Sequence, residues 1–578
     1  MSFPMPRIKT LLLIPVLVLA FAGCGGGGGA PAPTVNTQPP GSPLAPTVSL
    51  SAAPDTVAPG GSTLLTWSSS NASGCNATGA WSGGKATSGS QTINSIVATS
   101  TYNLTCNGSG GSTTRSATVN VTGAAGTGVN GAVDSSLLNR HQESANLVYA
   151  FAGFNITSGT PVATGSVTQN TGGCTFRYDL AGLPDGSYTV ALTKDGGSTF
   201  PRTTNVTVSG APVVQNFAAA NVIQVGSGRT YPHPNQVVGV VQSGDVVEID
   251  AGTYTDTEST WTTNNLTVRG VGGRAHLVAP ASISNGKGIW VTQGANMAVE
   301  NIEFSGAAVP NLNGAGIRAE GQDLAICGSY FHDNENGILG AIAGNGNVLI
   351  EYSEFARNGH CNGACAHNMY IGNTDRFTLR YSYSHHAHSG HTVKSRAKEN
   401  YILYNRIMDE ADGNSSYQID LPNGGLSYIV GNLLQQGPNN ENSTILTYGE
   451  EGLTNPNRTL YVVNNTFVND DLGSGTFIFI AGGSNTATVR NNLFVGNGTL
   501  VSGAATQFSN LTTNAPNFVN IGAFDYRPTA TTPGQNVGTA PGIGSGFDLM
   551  PVYHYIHPTN REARPVNGTI DIGAYEFP

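Results

Sequence analysis

Six basic side chains crowd into twelve positions of a chain in which only 10% of residues are charged: His385, His386, His388, His391, Lys394 and Arg396. They sit inside His367–Glu451, which opens HNMYIG, runs through SHHAHSGHTVKSRAKENYILYNRI and SSYQIDLPNGG, and closes on YGEEG. Lys, His and Tyr exchange protons when their surroundings shift their pKa. Lys and Arg neutralise carboxylates and developing negative charge. Those types together suit β-elimination at a sugar that carries a carboxylate. That reaction needs a cation on the carboxylate, a base for the C5 proton and an acid for the leaving oxygen.

Strand alternation says which of these groups meet, because successive side chains point to opposite faces. In HNMYIG, Met369 and Ile371 suit a core, which turns Asn368 and Tyr370 outward. In HTVKSR, Val393 is core and Thr392, Lys394 and Arg396 face out; in YQIDL, Ile419 and Leu421 are core and Gln418 and Asp420 face out. The steps 370 to 394 and 394 to 420 span 24 and 26 residues, one repeat each. Tyr370, Lys394 and Asp420 are therefore expected side by side, with His385–His391 and Glu450-Glu451 brought near by adjoining loops. The expected catalytic residues are Lys394, His391, Tyr370 and Arg396, with Lys394 and Arg396 on the substrate carboxylate and the developing charge and His391 or Tyr370 moving the proton. Asn368, His367, His385, His388, Asp420, Asn423 and Glu450 are the expected substrate contacts. Against this stands a purely structural reading, in which Lys394 is a surface lysine paired with Asp420.

The elements that must position these groups repeat. Residues 221–578 carry short apolar runs, each with a small polar residue at one place: Ser329, Ser353, Ser382, Asn405, Asn432, Asn465 and Asn492. Their gaps are 24, 29, 23, 27, 33 and 27 residues. Such a period predicts a solenoid whose coils stack ~4.8 Å apart. A propeller blade needs about 40 residues and a leucine-rich repeat needs a leucine framework, so both are excluded. The expected fold class is all-β: a right-handed parallel β-helix preceded by two small β-sandwiches. Gly244-Asp245 through Gly252-Thr253-Tyr254 resembles the entry to pectin-lyase-like β-helices, and PNFVN…FDYRP with IDIGAYEF resembles the closing turns of bacterial ones. VKSRAKENYILYNRI is similar to a coil of chondroitinase B and related alginate lyases. That resemblance implies a polysaccharide lyase with Lys394 as base. It also implies an arginine one coil on, where Asp420 stands, and calcium-binding carboxylates before the lysine, where Ser389 and His391 stand. No cofactor is predicted, and calcium remains a candidate ion.

The rest of the chain reads as an exported carrier. Arg7 and Lys9 precede the apolar run Leu11–Phe21, which is too short for a comfortable membrane span. Phe21-Ala22-Gly23-Cys24 resembles a lipobox, implying a signal peptide over 1–23, lipidation at Cys24 and a bacterial cell-envelope location at the outer membrane or cell surface. A Gly/Pro-rich tether follows over 24–46. Alternating strands over 47–123 and 127–220 predict two sandwiches; the first resembles immunoglobulin-like surface modules and the second resembles the spacers of surface enzymes. Export permits disulfides. Cys75 with Cys106 and Cys361 with Cys365 are expected to pair, while Cys174 and Cys327 read as buried thiols. A zinc site at Cys361, Cys365, His360 and His367 is the lesser alternative to the second pair.

The formal net charge of −10 argues against general nucleic-acid binding. An acidic polysaccharide, a membrane held through the lipid and a monomeric chain are expected. Activity leans to a lyase. A C5-epimerase would use the same proton abstraction, and a glycoside hydrolase would need two carboxylates from Asp409, Glu410, Asp412, Asp420, Glu450 and Glu451. A non-catalytic glycan-binding adhesin would need none of these proton transfers.

Overall fold

The computed structural model describes residues 45–577, apart from 58–60, 97–99, 122–127, 156–158, 198, 341–345, 363, 472, 485 and 566. The expected signal segment, Cys24 and all but the last two tether residues lie outside the described residues. Among the described residues no helix is long and apolar enough to cross a membrane. The chain forms two compact units, Met1–Thr122 and Gly123–Pro578.

The first unit is a β-sandwich. One sheet holds Thr47–Ala53, Gly61–Ser70 and Ser88–Ile96. The other holds Thr56–Val57, Gly111–Val121, Ser100–Gly108, Gly74–Gly79 and Gly83–Lys85. Alternation buries Leu65 and Trp67 from one sheet and Tyr102, Leu104 and Cys106 from the other. Trp67 meets Trp81 edge-on at 5.4 Å. Cys75 and Cys106 face each other across paired strands and are bonded.

The second unit begins with another sandwich, of two four-stranded sheets around Val129, Val148, Tyr178, Val190 and Leu192. It is fixed to the solenoid that follows. The buried Arg140 guanidinium lies 2.7 Å from Glu300 and 2.9 Å from Glu351, two carboxylates of the solenoid. Cys174 of the sandwich is bonded to Cys327 of the solenoid. This corrects the expectation of two inert thiols. The cysteines are 153 residues apart, and no local pattern around either one announces the partner.

The solenoid is a parallel β-helix. A 21-stranded and a ten-stranded sheet form it, and from Met297 to Ser502 each coil supplies two strands to the first and one to the second. One coil is Asn347–Glu351, Glu354–Ala356 and Met369–Ile371; the next is Arg376–Arg380, Tyr383–His385 and Val393–Ser395. Like residues superpose because the coils are one strand spacing apart. Phe304, Phe331 and Phe355 stack inside the tube with ring centroids 4.9 and 4.7 Å apart. No coil could bury these rings alone.

The small polar positions form a ladder at the bend between the two strands of the long sheet. The Ser329 amide donates to Ser353 Oγ and the Ser353 amide to Ser382 Oγ, both at 3.2 Å. The amides of Asn405, Asn432 and Asn465 each donate to the Oδ1 of the next asparagine at 2.9 Å. The residue before each ladder position is left-handed: Gly328, Tyr352, Tyr381, Tyr404, Gly431, Asn464 and Asn491 have φ between 48° and 69°. A tyrosine in that region is strained, and the ladder bonds and ring stacking hold three of them there. Tyr381 and Tyr404 stack at 5.9 Å.

A second ladder joins Asn334, Asn358 and Asn368 at the bend before the ten-stranded sheet. Asn368 is fully buried and also donates to the His385 carbonyl. This corrects its expected outward position. The residue precedes its strand, so alternation does not govern it. Thr392 and Gln418 are likewise buried, with Thr392 Oγ1 donating to Gln418 Oε1 at 3.0 Å.

Candidate functional site

Three neighbouring strands of the ten-stranded sheet carry the site: Met369–Ile371, Val393–Ser395 and Ile419–Leu421. Their apolar members Met369, Ile371, Val393, Ile419 and Leu421 face inward and are buried. Between them the register pairs Tyr370 with Lys394 and Lys394 with Asp420 on the outer face. Strand alternation and near-constant coil length are enough to put these three unlike groups in a row.

Lys394 is only 7% exposed. Its Nζ lies 3.1 Å from Asp420 Oδ2, 2.9 Å from Glu451 Oε1 and 5.5 Å from the centre of the Tyr370 ring. Burial works against the ammonium charge, but Asp420 and Glu451 outweigh it and hold the pKa above the usual lysine value. Lys394 is therefore a fixed cation, not a free base. Burial lifts the Asp420 carboxyl despite Lys394 and the Thr447 hydroxyl, which donates to it at 2.8 Å.

Arg396 completes the cationic pair. Its Nε donates to the Tyr370 hydroxyl oxygen, its Nη1 to Asn423 Oδ1 and its Nη2 to Glu451 Oε2, each at 2.6 Å. Glu451 thus spans Lys394 with one oxygen and Arg396 with the other. It sits on an exposed loop with 47% of its side chain open to solvent. It loses some hydration there, yet the bonds from Lys394 and Arg396 hold its carboxyl below the usual range.

Behind this pair lies an aromatic stack. His391 lies 4.7 Å from His367 on one side and 4.9 Å from Tyr417 on the other. Its Nε2 is 3.3 Å from Asp420 Oδ2, while its Nδ1 is buried with no hydrogen-bond partner among the described residues. Burial, then the Lys394 charge, push the His391 pKa down to about 3. Burial, then His391 and Lys394, carry His367 well below its ordinary value. Both rings are neutral. The His391 amide donates to His367 Nδ1 at 2.9 Å, which leaves the His367 proton on Nε2.

The other expected residues lie apart. His385 belongs to a strand of the long sheet, where it stacks on Tyr383 at 3.9 Å and faces Glu354 at 3.2 Å. His388 is exposed on the following turn. Neither bonds to Tyr370, Lys394 or Asp420 among the described residues, which corrects the expectation that the whole histidine run converges there. The run straddles a bend, and its two ends serve different sheets. Glu450 accepts from the Tyr417 hydroxyl at 2.7 Å, so its neighbour Glu451 is the residue that reaches the cations. Cys361 and Cys365 are bonded across the hairpin leading to His367.

The carboxylates considered for hydrolysis are otherwise engaged. Asp409 is fully buried and accepts from the Ser415 and Gly437 amides and from Gln418 Nε2. Asp412 pairs with His386 at 2.9 Å. Glu410 pairs with Arg406 at 2.7 Å at a separate cavity of about 560 Å³, lined also by Tyr383, Tyr526, Tyr555 and His557.

No protein-family model matches the chain, and no curated protein does. Solved structures with some likeness include the pectate lyase Pel9A, at 16% identity and a TM-score of 0.45, over 62% of this chain and 97% of that one. An alginate lyase from Paenibacillus sp. str. FPU-7 follows at 14% identity and 0.30, over 49% and 98%. The PL6 family alginate lyase AlyGC follows at 11% identity and 0.24, over 60% and 55%.

Proposed function

We propose that the Tyr370–Lys394–Arg396 face cleaves an acidic polysaccharide by β-elimination. The observation that carries this reading is the Glu451 bridge. A carboxylate on an exposed loop is held by one Lys and one Arg beside a tyrosine hydroxyl. A uronate carboxylate has the same charge and shape, so it can displace Glu451 and take both cations. The two cations then stabilise the charge that builds on that carboxylate as the C5 proton leaves.

Tyr370 is the proton-transfer group best placed for the step. Arg396 Nε donates to its oxygen at 2.6 Å and so holds it in place. Tyr370, as its phenolate, takes the C5 proton, the C5–H electron pair forms the C4=C5 double bond, and the C4–O bond breaks. The hydroxyl then returns its proton to the leaving oxygen. His391 is a positioning residue in this scheme: its Nδ1 is buried, its Nε2 faces Asp420, and its ring stacks in place. Asp420 fixes Lys394 from below.

The test is product analysis on a panel of uronate polysaccharides with the full chain. Unsaturated uronate ends, seen by ultraviolet absorbance, are expected. New reducing ends without unsaturation would replace the lyase by a hydrolase. Solvent deuterium at C5 without cleavage would make it an epimerase, and binding without change would make it an adhesin.

A further inference from the structure

The long sheet carries another ordered row of polar groups, on coils that precede the one carrying Lys394. His276, Glu303 and Tyr330 are register partners on three successive strands, as are Ser305 and His332. His332 thus stands diagonally beside Glu303. His276 Nε2 lies 3.5 Å and His332 Nε2 3.1 Å from Glu303 Oε1. One ligand atom from each of the three residues falls within 4.8 Å of the others. All three side chains are half-buried, with 15–27% exposure.

We propose that His276, Glu303 and His332 bind a divalent transition ion of the zinc class. Zinc takes histidine nitrogen and carboxylate oxygen at about 2.0–2.2 Å in tetrahedral geometry, which separates neighbouring ligand atoms by roughly 3.3 Å. The two separations to Glu303, 3.5 and 3.1 Å, bracket that value. Two imidazoles with one carboxylate favour zinc over calcium or magnesium, which take all-oxygen sets.

The surroundings set the histidine for this role. His332 Nδ1 is 2.6 Å from Asp333 Oδ2, and Asp333 is in turn held by Arg357 at 2.9 Å. A neutral imidazole has one N–H. His332 Nε2 is hydrogen-bonded to Glu303 Oε1 at 3.1 Å; with an ion on that nitrogen, the ring's one proton would sit on Nδ1 and be given to Asp333, the arrangement that ligating histidines adopt with a supporting carboxylate. Tyr330 stacks on the His332 ring at 4.4 Å and fixes its plane. His276 Nε2 now bonds Ser305 Oγ at 2.7 Å, and that hydroxyl can rotate away when the ion takes the nitrogen. The ion would join three coils and keep a fourth position open to water or a ligand oxygen.

The test is zinc binding to the full chain, read by competition with a chromogenic chelator, with cobalt absorption reporting the geometry. One ion per chain with a tetrahedral cobalt spectrum is expected. Glu303→Gln, which preserves shape, should lose binding. Asp333→Asn should weaken it about 10- to 100-fold, the usual effect of removing a supporting carboxylate. Zinc affinity unchanged in Glu303→Gln and His332→Ala, or no saturable binding at all, would overturn the assignment.

Discussion

Two stacks of polar residues run through the same solenoid and differ in kind. In the ladder from Ser329 to Asn510 each group meets its like: an amide donates to the next side-chain oxygen, coil after coil. In the row at Tyr370, Lys394 and Asp420 each group meets its opposite, a phenol beside a cation beside a carboxylate. The ladder repeats because hydrogen-bonded coils superpose equivalent bends, and its members are consumed by one another. The row breaks the repeat, and one of its ligands, Glu451, comes from an exposed loop that can let go. In a periodic fold, regularity marks what holds the molecule together, and a local exception marks where something else can bind.

That contrast separates variants by what they damage. Tyr370→Phe should lower lyase turnover about 100- to 10,000-fold, the range for losing a proton-transfer group. Its stability should change by less than about 1 kcal/mol, since one exchangeable hydrogen bond is lost. Lys394→Ala should destabilise by about 3–5 kcal/mol in urea titration, because Asp420 is left buried without its cation. The ladder variant Asn432→Ala should cost about 3 kcal/mol by the same titration. It orphans the Asn405 amide and the Ile402 carbonyl, yet should leave the turnover of the folded fraction unchanged.

Acid should weaken the site before it weakens the ladder. His391 and His367 are held neutral in the folded chain, with pKa values lowered from 6.5. The His391 contribution is complete above the unfolded value and is lost as pH falls from about 6.5 toward about 3, and that of His367 is lost in the same direction. At pH 5 the loss is about 2 kcal/mol for a ring that stays neutral. His391→Gln should flatten that slope in urea midpoints measured between pH 7 and pH 5. The smallest effect belongs to Glu451→Gln. Glu451 is half-exposed and Lys394 keeps Asp420 as a partner without it, so stability should hardly move, while affinity for a uronate polymer at low salt should rise severalfold.

Much of this was legible in the chain because a β-helix obeys two simple periods. Alternation within a strand and about one coil between strands are enough to set Tyr370 beside Lys394 and Lys394 beside Asp420. The small polar positions likewise betray the ladder. What failed lay at the bends, where neither period holds. Asn368 and the His385–His388 run sit at strand ends, and one residue decides which sheet a side chain joins. Glu450 and Glu451 are adjacent on a loop, and only the loop's path says which reaches the cations. The Cys174–Cys327 bond spans two parts of the fold and has no local signature. The His276–Glu303–His332 group was missed although its members are 27 and 29 residues apart, near the coil length, because isolated histidines in strands attract no notice until the register is known.

The most direct test of the central claim is the appearance of unsaturated uronate, followed by ultraviolet absorbance, for the full chain and for Tyr370→Phe on the same polysaccharide panel. The account predicts a steady rise with the native chain on at least one polymer. It predicts almost none with Tyr370→Phe, whose urea midpoint should remain close to native. An equal rise in both proteins, or no rise from the native chain on any uronate polymer, would contradict it.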